Sequence, residues 1–241
     1  FILKNVSREP VFIDDEEKYI EYLGNPELPK LLTDDKTALI EKLKTELPYE
    51  KINENLSILE LKEKLDDALL AKKNEIIRNQ VSEIKDYKQY DDIQQIFDLI
   101  PKRNSELSDV PLMFEWNTWR AMTMLDGGNI KANLKFDDFG NPMSTAQGNM
   151  ADIVCNYDDF DLIVEVTTAT GQKQYEMEGE PVSRHLGKLK KESGRETYGL
   201  FIAPTINEAC VAQFYMLYHT NISYYGGKSA IVPLPLNIFR K

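Results

Sequence analysis

Cysteine is nearly absent: Cys155 and Cys210 are the only two in 241 residues, and they stand far apart with no CxxC spacing. That excludes a disulfide framework and a cysteine zinc site, and it fits a reducing compartment. Long apolar runs are missing as well. No stretch approaches the ~18 to 20 apolar residues that span a bilayer, and the first residues carry neither the apolar core nor the basic flank of a signal peptide. A cytoplasmic protein with no membrane contact is expected. Basic charge is the third shortage, with 29 Lys and Arg against 40 Asp and Glu for a net charge of −11. There are 17 basic and 25 acidic residues before Val110 and 12 and 15 from there on, so the excess is −8 and then −3. Phosphate contact needs local Lys and Arg, so this balance speaks against strong autonomous DNA binding while leaving room for a local basic patch.

With 42% hydrophobic residues the chain can bury one large core or two small ones. It begins with Phe1 rather than Met, which points to a piece of a longer protein and to a further domain before it. Residues 8 to 13 read as an extended apolar piece and residues 14 to 23 as a short acidic helix ended by Gly24, Pro26 and Pro29. Asp34 and Asp35 can cap a helix to about Leu47. Ser57 with Glu60 resembles a capping box for a long amphipathic helix to about Tyr87, and a further helix runs from Asp91 to Ile100. Residues 1–110 are therefore expected to be an all-α connecting region with its charges mostly on solvated faces.

Residues 111–241 read differently. Pro111 opens a helix through Glu115, Trp116 and Trp119 to about Leu125, ended by Gly127-Gly128. Ile130 to Phe136 reads as a strand with a turn at 138 to 141. Ile153-Val154-Cys155 and Leu162 to Thr168 read as two strands joined at Asp158 to Asp161. A helical region from about Gln172 to Glu192, interrupted by Gly179 and Pro181, leads to a strand at 198 to 203. A helix at 207 to 218 and a last strand at 230 to 236 follow. Trp116 and Trp119, with Phe114 and Met122 at helical spacing, are expected in the core.

Two acids stand out in this half. Asp152 precedes one short strand, and Glu165 lies inside the next among Leu162, Ile163, Val164 and Val166. An unpaired carboxylate there is costly unless it holds a cation or a proton, and a divalent metal accounts for it most simply. An Asp and a Glu on adjacent strands, after a helix and a strand and before a helix and a strand, follow the pattern of the PD-(D/E)xK nuclease core. Oxygen ligands suit Mg²⁺, which polarises a phosphoryl oxygen and activates a bound water. Where that pattern has Lys after Glu-x, this chain has Thr167, so the lysine's role must be supplied elsewhere or be absent.

The words 148–154 (GNMADIV), 162–167 (LIVEVT) and 174–185 (QYEMEGEPVSRH), with Phe114-Glu115-Trp116 before them and 198–204 and Pro233-Leu234 after them, resemble the catalytic domain of AlwI-type restriction endonucleases. These form a type IIS group that includes site-specific nicking enzymes and in which Glu-Val-Thr is the usual word. The resemblance covers the second half of the chain well and the helical first half weakly. It implies an αβββαβ core with a mixed central sheet and Mg²⁺-dependent hydrolysis of double-stranded DNA, with Mn²⁺ as a substitute. It implies metal ligation by Asp152, Glu165, the Val166 carbonyl, Glu178 and Glu115, and a proton-handling role for His185. Glu176 and Glu180 alternate with Glu178, so the choice of Glu178 rests on the resemblance.

Arg184, Lys188, Lys190, Lys191 and Arg195 are the only basic cluster along the chain and directly follow the carboxylates, a placement suited to phosphates flanking the scissile one. Lys173 and Gln147 are further candidates for DNA contact. No basic recognition helix is seen, so sequence reading is assigned to a domain N-terminal to this chain. One active site cuts one strand, and double-strand cleavage then calls for a transient dimer or a second nuclease subunit. Two rivals stand beside this reading: a non-catalytic interaction scaffold with a nuclease-like core, and a structure-specific repair nuclease.

Overall fold

The computed structural model describes residues 35–87, 89–102, 106–137, 139–145 and 148–241. The elements expected within residues 8–23, and Gln147, lie outside them. By its contacts the chain divides into two compact units, Phe1–Lys72 and Lys73–Lys241.

In the first unit, helix α1 (Lys36–Glu46) starts where the Asp35 carboxylate accepts the Thr37 and Ala38 N–H groups at 2.8 and 3.2 Å. Helix α2 (Ile58–Tyr87) opens on a reciprocal capping box, in which Ser57 N–H donates to Glu60 at 2.8 Å and Glu60 N–H to Ser57 Oγ at 3.3 Å. Leu39, Leu43, Ile52, Leu61 and Leu65 close the core of this unit.

The second unit begins within α2 and continues with α3 (Tyr90–Leu99) and α4 (Val110–Leu125), the latter capped by Asp109 with Pro111 in its first turn. Strands β1 (Asn129–Ala132), β2 (Leu134–Phe136), β3 (Pro142–Thr145), β4 (Ile153–Asn156) and β5 (Asp161–Val166) follow. Helix α5 (Gly171–Ser193), β6 (Thr197–Ala203), α6 (Glu208–His219), β7 (Ala230–Pro235) and the short α7 (Leu236–Phe239) complete it. The main sheet is mixed, in the order β1-β4-β5-β6-β7. β1/β4 and β4/β5 are antiparallel, and β5/β6 and β6/β7 are parallel.

Both sheet faces are covered, which is why β5 and β6 read as near-continuous apolar runs. Val164, Val166 and Ile202 join Phe97, Phe114 and Trp119 on the face of α2, α3 and α4. Ile163 and Phe201 join Val182, Leu186 and Phe214 on the face of α5 and α6. Because side chains alternate along a strand, Glu165 shares the face of Ile163 and is aimed at α5.

Two expectations change. The single strand expected over Ile130 to Phe136 is two strands in different sheets, since β2 leaves to pair with β3. The break falls at Asn133, whose N–H donates to the Asp152 carbonyl at 2.7 Å, and the unbroken alternation of Ile130, Ala132, Leu134 and Phe136 gives no sign of it. Nor is the helical region interrupted: α5 runs through Gly179 and Pro181. A proline inside a helix forfeits one backbone hydrogen bond, but burial of Val182 and Leu186 at 1% exposure holds the helix on the sheet.

Candidate active site

The parallel strands β5 and β6 place an opening at their carboxyl ends, where the β5–α5 connection must leave the sheet. β4 is antiparallel to β5, so its first turn, carrying Asp152, reaches the same end. A pocket of about 600 Å³ lies there, lined by Glu115 from α4, Asp152, Glu165, and Lys173, Glu178 and His185 from α5. Asn133, Thr145 and Asn149 wall it; Asn133 and Thr145 carried no sequence signal, and Asn149 entered only as part of the word 148–154.

Helical geometry sorts the three alternating glutamates. Glu176 and Glu180 lie one turn apart on one face, while Glu178 is about 200° around the axis from either. Of the three, Glu178 alone lines the pocket. Seven residues on, about 20° from the same direction, stands His185, so the continuity of α5 through Pro181 is what brings the two together.

The pair at the centre is Glu165 and His185, with Glu165 Oε1 at 2.7 Å from His185 Nδ1. Asp152 Oδ2 accepts the Val166 N–H at 2.8 Å, tying the two acid-bearing strands together beside the carboxylates. Two atoms are left over: Glu115 Oε2 and His185 Nε2 are buried without a hydrogen-bond partner among the described residues.

Burial and the crowding of carboxylates in one pocket oppose ionisation of Glu115, Asp152 and Glu165. Burial and the charge of Glu178 push Glu165 up to about 8. Burial, Asp152, Asp109 and Glu178 push Glu115 up to about 8. Asp152 is raised well above the usual carboxylate range by burial and by Glu165. His185 is held below its ordinary value by burial and by the neighbouring Arg184, so it is neutral near pH 7.

An all-oxygen donor set with an unsatisfied carboxylate oxygen fits a hard divalent cation. Among the described residues no three His, Cys, Asp or Glu side chains close into a ready cage. Mg²⁺ commonly keeps several waters and takes only one or two carboxylates.

The basic cluster does not converge on the pocket. Arg195 is committed to the buried Asp161 at 2.9 Å and to the carbonyls of Tyr157 and Asp158 at 2.5 and 2.6 Å. Lys190 and Lys191 donate to the carbonyls of Lys228 and Tyr224 at 3.2 and 2.7 Å, pinning that loop to α5. Arg184 and Lys188 donate to the side chain and carbonyl of Asn149 in the pocket wall. Lys173 is the one lysine or arginine among the pocket-lining residues.

A mixed sheet with an Asp and a Glu on adjacent strands, facing a helix with a glutamate and a histidine, defines a nuclease of the restriction-endonuclease type. The sequence model of the AlwI restriction endonuclease family matches residues 2–241, and the chain belongs to that family. Among solved structures it is similar to the small subunit of the heterodimeric restriction endonuclease R.BspD6I. Identity is 30% over 63% of this chain and 75% of the other, with a TM-score of 0.53. A comparison with curated protein sequences gives no match. No helix among the described residues is long and apolar enough to cross a membrane.

Proposed function

We propose that this chain is a cleavage subunit or cleavage domain of a type IIS restriction or nicking endonuclease, hydrolysing DNA phosphodiester bonds with Mg²⁺. The observation that carries the reading is one pocket joining Glu115, Asp152, Glu165 and Glu178 with His185. Asp152 and Glu165, with the Val166 carbonyl, would hold the ion, with Glu178 and Glu115 completing the carboxylate set directly or through water. Bound Mg²⁺ would supply Lewis-acid polarisation of the phosphoryl oxygen and a more acidic water.

The chain's own residues handle geometry and protons. With the ion bound, Glu165 would be ionised and would accept the Nδ1–H of His185, which fixes the tautomer and leaves Nε2 with its lone pair. With no hydrogen-bond partner among the described residues, Nε2 is available to take a proton from the attacking water, a contribution worth about 10²- to 10⁴-fold. Arg184 and Lys188, turned toward the Asn149 wall, are placed for phosphates flanking the scissile one, and Lys173 for the scissile phosphate itself.

Recognition of a DNA sequence is assigned to another domain or chain, because these residues offer no basic recognition helix. One such pocket cuts one strand. The likeness to a subunit of a heterodimeric restriction endonuclease supports a second nuclease subunit for the other strand.

The test is relaxation and linearisation of supercoiled plasmid at low salt with Mg²⁺ or Mn²⁺, for wild type and Glu165→Ala. Metal-dependent nicking lost in the variant is expected. Nicking that persists undiminished in a folded Glu165→Ala protein would overturn the assignment of this pocket.

A further inference from the structure

Along the chain, five cations of the second unit lie on α5, and four of them are spent on internal contacts. In space a different set meets. A groove of about 520 Å³ lies between the second half of α2, strand β1 and the Trp119 and Phe136 side chains, with Arg78, Lys85 and Lys131 in its walls. These three come from separate stretches of sequence, so no charge run announces them.

Helical spacing shows that the grouping is organised. Taking Asn74 as origin, Arg78 and Lys85 fall within about 40° of it, while Glu75, Glu83 and Asp86 fall at about 100 to 180°. The acids of this helix segment are thus turned off the groove and the cations onto it. Lys85 is paired with Asp126 at 2.6 Å. Arg78 and Lys131 are exposed and have no ion-pair or hydrogen-bond partner among the described residues. In a chain of net charge −11, two unpaired cations lining one groove, Arg78 on the α2 wall and Lys131 at the sheet edge, are positioned for an anion.

The wall opposite α2 is β1, an edge strand among the described residues. There it pairs with β4 on one side only, and all four of its residues line the groove. The Ile130 carbonyl faces outward, accepting the Trp119 Nε1–H at 3.5 Å. In an antiparallel ladder the N–H of a residue shares the direction of its carbonyl, so Ile130 and Ala132 offer N–H groups on this edge. At the floor, Thr123 Oγ1 is buried and has no hydrogen-bond partner among the described residues. Cations beside outward backbone N–H groups form the donor set that grips a phosphodiester.

The groove and the catalytic pocket share two elements. β1 runs directly into Asn133, which walls the pocket, and α4 contributes Glu115 to one and Trp119 to the other. Those two are four residues apart, about 6 Å of helix, whereas phosphates of one strand advance about 3.4 Å along a duplex. We propose that the α2–β1 groove is a second phosphate-binding subsite. Arg78 and Lys131 there hold the DNA backbone a few nucleotides from the bond being cut. This rests on the nuclease reading above.

The test is equilibrium binding of a duplex oligonucleotide across a salt series by wild type, by Arg78→Ala/Lys131→Ala and by the charge-conserving Arg78→Lys/Lys131→Arg. Each phosphate contact contributes about 0.9 to the slope of log affinity against log salt. The alanine variant is expected to lose about 1.8 from that slope, so its deficit against wild type narrows about tenfold over a fourfold rise in salt. The conservative variant is expected to restore the slope. A wild type that binds duplex while the alanine variant keeps its slope overturns this subsite and leaves the nuclease reading standing. So does an equal loss in the conservative variant. A wild type that neither binds nor cuts duplex at low salt overturns both.

Discussion

Replacing Glu165 by glutamine should stabilise the metal-free protein at alkaline pH and remove much of its response to Mg²⁺. In the folded state Glu165 is pushed from 4.5 up to about 8, first by burial and then by Glu178. A carboxyl with a raised folded value keeps its proton where the unfolded chain has lost it, so from about pH 4.5 to 8 the native state binds more protons. Stability contributed by this group therefore falls as pH rises through that window. At about 1.4 kcal/mol per pK the full difference amounts to about 4 to 5 kcal/mol. The proton deficit is shared among coupled carboxylates, so about half of this, ~2 kcal/mol, is expected at Glu165. For a chain of this size that is roughly 4 to 8 °C in melting temperature. Glu165→Gln keeps a side-chain oxygen for His185 Nδ1–H and removes the charge. Melting curves with EDTA should coincide near pH 5 and separate toward pH 8.5, with the variant higher. Millimolar Mg²⁺ should raise wild type at pH 8.5 and raise the variant less. Identical pH profiles for the two proteins would refute the claim that Glu165 is an uncompensated buried acid.

Exchanging the alternating glutamates one at a time separates the pocket from the solvated face of α5. Glu178→Ala should lower plasmid nicking at least about tenfold, whereas Glu176→Ala should leave it within about twofold, since an exposed charge of this kind contributes little. His185→Ala should reduce turnover by about 10² to 10⁴ and flatten the acid limb of the pH–rate profile, because its imidazole is held below the ordinary value; a variant with an unchanged profile would remove it from proton transfer. Arg195→Ala should cost about 3 to 5 kcal/mol in urea unfolding, since it strands the buried Asp161 carboxylate. Gly187→Ala should destabilise the protein without altering the charges of the pocket, because a Cβ there would lie 2.7 Å from the Tyr225 backbone.

The amino-acid sequence by itself determined where most helices and strands fall. Asp35 and Ser57-Glu60 cap the helices they were expected to cap, because capping is a contact between residues two or three apart. The apolar runs of β5 and β6 mark strands buried on both faces, and the acid inside the first is conspicuous because burial makes it costly. Glu165 stood out for that reason, and Asp152 by its place at the start of the neighbouring strand. Which of Glu176, Glu178 and Glu180 faces the pocket was legible only through family resemblance, until α5 proved continuous through Pro181.

Tertiary structure alone decided the rest. The division of the stretch from Ile130 to Phe136 into strands of two sheets turns on the pairing of Asn133 with Asp152, a contact that local alternation does not encode. The basic run over residues 184–195 looks like one binding face in sequence, yet Arg195, Lys190 and Lys191 are drawn into internal contacts by carboxylates and carbonyls about 30 residues away or more. Arg78 and Lys131 come together only because α2 packs beside the edge of β1. Local interactions act over one turn of helix or one strand pair, so a sequence displays them. The meeting of distant charges depends on the packing of whole elements, and there the sequence is silent.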